Sequence, residues 1–195
     1  MVIETAKKPA TYADLEALPP HVVGEILFGT LVTHPRPVRR HGGATSALGM
    51  VVGSPHQLGM GGPGGWIFVD EPELHLGPHV VVPDIAGWRR ERMTEPADKP
   101  YFEVAPDWVC EALSPSTEKY DKGPKRLIYA LYDVEFLWQL DPRVKCLETF
   151  RRADKSWLVT GIFFDEEEVK APPFDSVPFQ LGLLWPFDPP SVPTT

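Results

Sequence analysis

The chain has 195 residues, 43% of them hydrophobic and 24% charged, a composition that folds as one globular domain and excludes a disordered chain. No apolar run reaches the roughly 18 residues a membrane span needs. A net charge of −8 argues against a broad electrostatic grip on nucleic acid, because neutralising phosphates takes clustered Lys and Arg.

The first residues lack an apolar core and carry an acid at Glu4, unlike a secretory signal. Cys110 and Cys146 lie in apolar runs and read as buried, reduced thiols, which places the protein in the cytoplasm as an expectation. Thr11 and Asp14 have the spacing of a capping box, opening a helix that stops at Leu18 before Pro19 and Pro20. Residues 22–33 read as a β-hairpin turning at Phe28-Gly29-Thr30. A helix over residues 41–52 follows, then a Gly- and Pro-rich loop over 53–65. Strands are expected over 66–69, 74–76 and 80–82, with residues 85–88 continuing after Asp84. Residues 89–106 are polar and Pro-rich and read as an exposed excursion.

Residues 108–113 form a strand and Ser114 to Thr117 a polar turn. The clearest helical period covers 122–132, with Leu127, Ile128, Leu131 and Tyr132 as its apolar stripe. Strands over 134–140 and 144–151 flank an Asp141-Pro142-Arg143 turn, and another covers 157–164. The Pro-rich tail from residue 186 reads as disordered. The fold class is therefore α/β (or α+β), a single domain over 11–185 with a mixed sheet flanked by helices, between tails at 1–10 and 186–195.

Alternation along 108–113 puts Val109, Glu111 and Leu113 on one face, so Glu111 is a carboxylate inside an apolar strand. Such a charge must meet a cation, a metal or a proton, and a structural salt bridge is one way to do so. Asp84 interrupts an apolar stretch between two strand segments and can converge on Glu111 if those strands are neighbours. Two carboxylates about 4 Å apart repel by roughly 4 kcal/mol at an effective dielectric near 20. A hard cation such as Mg²⁺ relieves that repulsion and can activate a water beside a phosphoryl group. On a helical wheel Lys125 falls at the border of the stripe facing the sheet, where it can reach Glu111, while Arg126 points away. Glu25 is a further acid in an apolar run, a ligand or an edge-strand charge. Asp121 and Lys122 read as helix-start chemistry. His75 and His79 lack partners in zinc spacing. Basic stretches at Arg36 to His41 and Trp88 to Arg92 are solvated faces or local contacts for a duplex.

Several short pieces recur in order. They are Gly24-Glu25-Ile26-Leu27-Phe28-Gly29, His41 opening a helix, Pro83-Asp84, Glu111-Ala112-Leu113-Ser114-Pro115-Ser116-Thr117, Lys125 with Tyr129, and Trp138 to Pro142. Together they resemble the Uma family of bacterial restriction endonucleases, a branch of the PD-(D/E)XK nuclease superfamily. That resemblance implies Mg²⁺-dependent phosphodiester hydrolysis, with Mn²⁺ able to substitute, by a metal-activated water on DNA. Asp84 and Glu111 would be metal ligands, with the Ala112 carbonyl a further one. Lys125 would take the role of the superfamily lysine, whose usual place is Leu113 here, and Glu25 would join from the hairpin. A homodimer is a further expectation from the resemblance. The chain departs from the family at Gly24, where a tyrosine is common, and at Pro124 inside the helix. Two other readings stand beside the nuclease: a non-catalytic binding module on the same fold, and a metal-dependent hydrolase of a small phosphoester, which suits the acidic charge.

Overall fold

A computed structural model describes residues 8–34, 38–94 and 98–188. Its centre is a six-stranded mixed sheet in the order β10-β9-β8-β7-β6-β3. The strands are β3 (Trp66–Asp70), β6 (Ile85–Arg89), β7 (Trp108–Ala112), β8 (Phe136–Asp141), β9 (Cys146–Ala153) and β10 (Ser156–Phe164). Only β7 and β8 run parallel. Their connection crosses over through α3 (Glu118–Tyr120), a π-helical turn (Asp121–Lys125) and α4 (Arg126–Leu131), as a parallel pair requires. A second sheet, β2-β1-β5-β4, is built from β1 (Val23–Leu27), β2 (Thr30–His34), β4 (Leu74–Leu76) and β5 (His79–Val81). The hairpin between β1 and β2 turns where expected, with positive φ at both Phe28 (50°) and Gly29 (75°), the geometry whose twist suits a two-residue turn.

Each face of the main sheet has its own core. On one, α2 (Arg39–His56) lays Ala44, Ala47, Leu48 and Val52 over Trp108, Cys110, Ala112 and Trp138. On the other, Ile128 and Tyr129 of α4 and residues of the smaller sheet cover Val109, Ala86, Trp88 and Leu137. Strict alternation along β7 divides the strand between them, as the sequence predicts. Both cysteines are free and buried. No helix among the described residues is long and apolar enough to cross a membrane.

Three expectations are corrected. Helix α2 starts two residues early and runs through Pro55 to His56, longer than 41–52, because Ala44, Ala47, Leu48 and Val52 bury a continuous stripe. The segment after β6 is not simply an exposed excursion. Phe102 stacks on Trp88 at 4.7 Å and the Val104 carbonyl accepts from the Trp88 indole at 2.9 Å, so the loop closes over that tryptophan. In the crossover helix Ile128, Tyr129 and Ala130 are buried while Leu127 and Leu131 are exposed, a rotation away from the expected stripe. The capping box is present: the Thr11 N–H and hydroxyl both donate to Asp14, at 2.7 and 2.8 Å, and open α1 (Tyr12–Glu16). Leu15 of this helix and Leu18 just beyond it occupy the space beside Gly24 that a side chain there would fill. Of the tail expected from 186, residues 189–195 lie outside the described ones, as do 1–7, Arg36 of the basic stretch and 95–97 of the loop. Asp188 itself pairs with Arg40 at 3.2 Å and Lys145 at 2.9 Å.

Candidate active site

Strands β6 and β7 are antiparallel neighbours with Ile85 opposite Cys110. Continuing that register by one residue sets Asp84 opposite Glu111, which is the convergence the sequence argument requires. Asp84 is held at both oxygens. Oδ2 accepts from the Ala112 N–H at 2.7 Å, and Oδ1 lies 2.6 Å from His41 Nε2 at the start of α2. Main-sheet register and the α2 approach thus fix the carboxylate independently.

Lys125 is more deeply placed than a border position: it is buried at 2% exposure. Its ammonium lies 2.8 Å from Glu111 Oε1, 3.1 Å from Glu25 Oε1 and 3.5 Å from Asp121 Oδ1, and donates to the Val82 carbonyl at 3.1 Å. The π turn accounts for this placement. Pro124 has no N–H and its ring would collide with the carbonyl one α-turn back, and the wider turn accommodates it. Asp121 and Lys125 both come to face the sheet, and the angular relation between residues before and after the turn changes. Arg126, expected to point away, instead stacks on Phe150 at 4.2 Å and hydrogen-bonds Gln139. Gln139 lies beside Glu111 in register and donates to the Asp121 carbonyl at 2.9 Å, tying the π turn to β8.

Burial dominates the electrostatics. It pushes Glu111 well above the ordinary carboxylate range; Lys125 opposes this, but Asp121, Asp84 and Glu25 reinforce it. Glu25 is just as buried, yet Lys125, the His34 ring and the Val82 N–H (2.7 Å) outweigh burial and hold it low. Burial also raises Asp121. Lys125 stays firmly protonated because Glu111 and Glu25 outweigh its own desolvation. The His41 ring, although buried, is raised by its bond to Asp84. Four acidic side chains share the cations of Lys125 and His41, and burial disfavours charge on two of the acids, Glu111 and Asp121, a penalty that a divalent cation would relieve. The donor set fits such an ion in type and charge, with Asp84 and Glu111 the oxygen pair nearest in register. Among the described residues, no three His, Cys, Asp or Glu side chains converge as a ready-made metal-binding group.

Asp84, Glu111, Lys125 and His41 line one cleft of about 200 Å³, open to solvent, with Val23, Val38, Pro83 and Pro115 as apolar walls. Ser114, Ser116 and Thr117 form a hydroxyl cluster on its rim, with Oγ distances of 2.9 and 3.0 Å from Ser114. Three residues were given less than their place. Tyr129 donates to Glu111 Oε1 at 2.5 Å, Asp121 is buried beside Lys125, and His41 holds Asp84. Tyr129 and His41 carried a signal only in the recurring pieces. Asp121 carried one at four residues before Lys125, but it fits helix capping as well. His75 and His79 bond elsewhere, to Glu73 and to the Phe28 N–H.

A family model described as "Uma2: Putative restriction endonuclease" matches residues 9–182. A solved structure of a "putative nuclease belonging to DUF820" from Anabaena variabilis superposes with a TM-score of 0.74 at 22% identity, covering 91% of this chain and 98% of that one. At that identity the superposition speaks for the fold. No curated protein matches. A family match spanning nearly the whole chain, on a fold shared with that solved structure, makes this protein a member of the Uma2 restriction-endonuclease family.

Proposed function

We propose that the chain is a Mg²⁺-dependent endonuclease that hydrolyses phosphodiester bonds of DNA in the Asp84–Glu111 cleft. The observation that carries this reading is the meeting of Asp84, Glu111 and Lys125 in one cleft of a restriction-endonuclease family member. The Asp84 and Glu111 carboxylates and the Ala112 carbonyl would hold the cation. When bound, such an ion neutralises phosphate charge and lowers the pKa of an attacking water. His41 and the Ala112 N–H fix the two Asp84 oxygens, so the carboxylate enters the reaction already oriented. Lys125, held by Glu25, Glu111 and the Val82 carbonyl, supplies a permanent positive charge against the charge that develops on the phosphate. Tyr129 keeps one Glu111 oxygen in place.

The test is plasmid nicking with Mg²⁺ or Mn²⁺ against EDTA, comparing wild type with Asp84→Asn and Glu111→Gln. Cleavage by the wild type alone, lost in EDTA, is expected; equal nicking by all three proteins defeats the site assignment. One observation favours a second reading. Apart from buried Lys125, no lysine or arginine among the described residues lines the cleft, which suits a small phosphodiester. Turnover of bis(p-nitrophenyl) phosphate without cleavage of any DNA would select it.

A further inference from the structure

Hydrolysis of an alkyl phosphodiester needs a proton delivered to the leaving oxygen as its bond to phosphorus breaks. Three nitrogen acids line the cleft: Lys125, His41 and His34. Lys125 is kept firmly protonated by Glu111 and Glu25, and His41 Nε2 is engaged with Asp84 at 2.6 Å. Asp121 and Glu111 are shut in beside Lys125 at 3% and 2% exposure. His34 differs from all of these. It ends β2 opposite Val23, with its side chain 18% exposed. Its Nε2 faces Glu25 Oε2 at 3.6 Å, and Nδ1 has no hydrogen-bond partner among the described residues.

The place of His34 follows from what anchors Glu25. Glu25 Oε1 accepts the Val82 N–H at 2.7 Å and meets Lys125 at 3.1 Å, which leaves Oε2 for the imidazole. Contacts therefore run in a row: Asp84 to the Ala112 N–H, Glu111 to Lys125, Lys125 to Glu25, and Glu25 to His34. In phosphoryl transfer the attacking and leaving oxygens lie roughly in line through phosphorus. A water attacking from the Asp84–Glu111 end thus sends the leaving oxygen toward the His34 end.

We propose that His34 is the general acid of this cleft, and that the substrate is a phosphodiester whose leaving group is an alkoxide, as in a nucleic-acid backbone. This rests on the hydrolytic reading of the cleft. The water oxygen bonds to phosphorus, and the bond to the leaving oxygen breaks with its electron pair on that oxygen. The proton on His34 Nδ1 passes to it, releasing an alcohol. The spare proton of the attacking water goes to solvent, from which the neutral ring takes one back. Glu25 holds the ring by Nε2 and so reserves Nδ1 for the substrate.

The test compares wild type with His34→Gln, in Mg²⁺, on two diesters. Plasmid DNA releases an alkoxide; bis(p-nitrophenyl) phosphate releases a phenolate that leaves without a proton. His34→Gln is expected to cleave DNA at least about 100-fold more slowly, while its rate on the aryl diester stays within about threefold of wild type. An unchanged rate on DNA, or an equal fall on both substrates, overturns the inference and leaves the roles of Asp84 and Glu111 standing. Wild type that turns over the aryl diester but no DNA overturns it too. Wild type inert on both defeats the hydrolytic reading itself and this inference with it.

Discussion

Lys125 is the residue on which the cluster depends. It touches Glu25, Glu111 and Asp121 from a position at 2% exposure, so its removal strands buried carboxylates without their shared cation. Lys125→Met is expected to destabilise the fold by about 3–5 kcal/mol, measured as a shift in urea midpoint. Glu111→Gln should cost far less, because Lys125 keeps Glu25 and Asp121 and burial already disfavours a charge at position 111. Both changes should abolish cleavage. A Lys125→Met protein as stable as wild type would show that the ammonium is not the keystone of the cluster. His41 acts through Asp84 as a positioning residue. His41→Ala is expected to reduce metal affinity, read by calorimetry, or activity by roughly 10–100-fold with little change in thermal midpoint. An unchanged metal affinity and rate would remove His41 from the site.

At the scale of elements, strand register and one irregular turn build the site. Antiparallel pairing of β6 with β7 brings Asp84 to Glu111, and the alternation of β7, legible in the sequence, already put Glu111 on a definite face. The helix carrying Lys125 was legible as a helix, but its orientation was not. The wheel drawn at 100° per residue fails across the π turn, which is why Arg126 lies along the sheet and Leu127 and Leu131 face solvent. The β6 backbone is also closely packed. A Cβ at Gly87 would meet the Phe68 ring at 2.8 Å and Trp108 at 3.2 Å, so Gly87→Ala should cost about 1–3 kcal/mol by overpacking, seen as a lower thermal midpoint. A neutral result would mean that Phe68 moves freely at the sheet edge.

Two buried histidines outside the site, His56 and His79, are held below the ordinary imidazole range by burial, and His56 is the more deeply buried. His56, at the end of α2, is 2% exposed, neither ring nitrogen has a hydrogen-bond partner, and its ring lies 4.8 Å from Phe174. Burial lowers its pKa below the ordinary 6.5, with Asp175 offsetting only part of the effect. The unfolded chain therefore takes up a proton first as pH falls. Histidine 56 contributes no pH dependence well above 6.5, and stability declines as pH drops through that value toward the lower folded one. His56→Leu should flatten this part of the curve, checked by urea midpoints at about pH 7.5 and pH 5.5. An unchanged slope would assign the acid sensitivity to other groups.

The sequence by itself determined the one-domain α/β class, the hairpin turn, the face of Glu111 and the identity of Asp84, Glu111, Lys125 and Glu25 as the acids and base worth following. These are local properties, written in periods of two and 3.6, in turn chemistry and in charges stranded among apolar neighbours. Only the tertiary structure decided that Asp121, Tyr129 and His41 join them, that Lys125 is buried rather than bordering, and that one lysine serves three carboxylates. Those facts depend on the pairing of β6 with β7, on the β7-to-β8 crossover and on a π turn around Pro124. They join residues dozens of positions apart, beyond the reach of any local period.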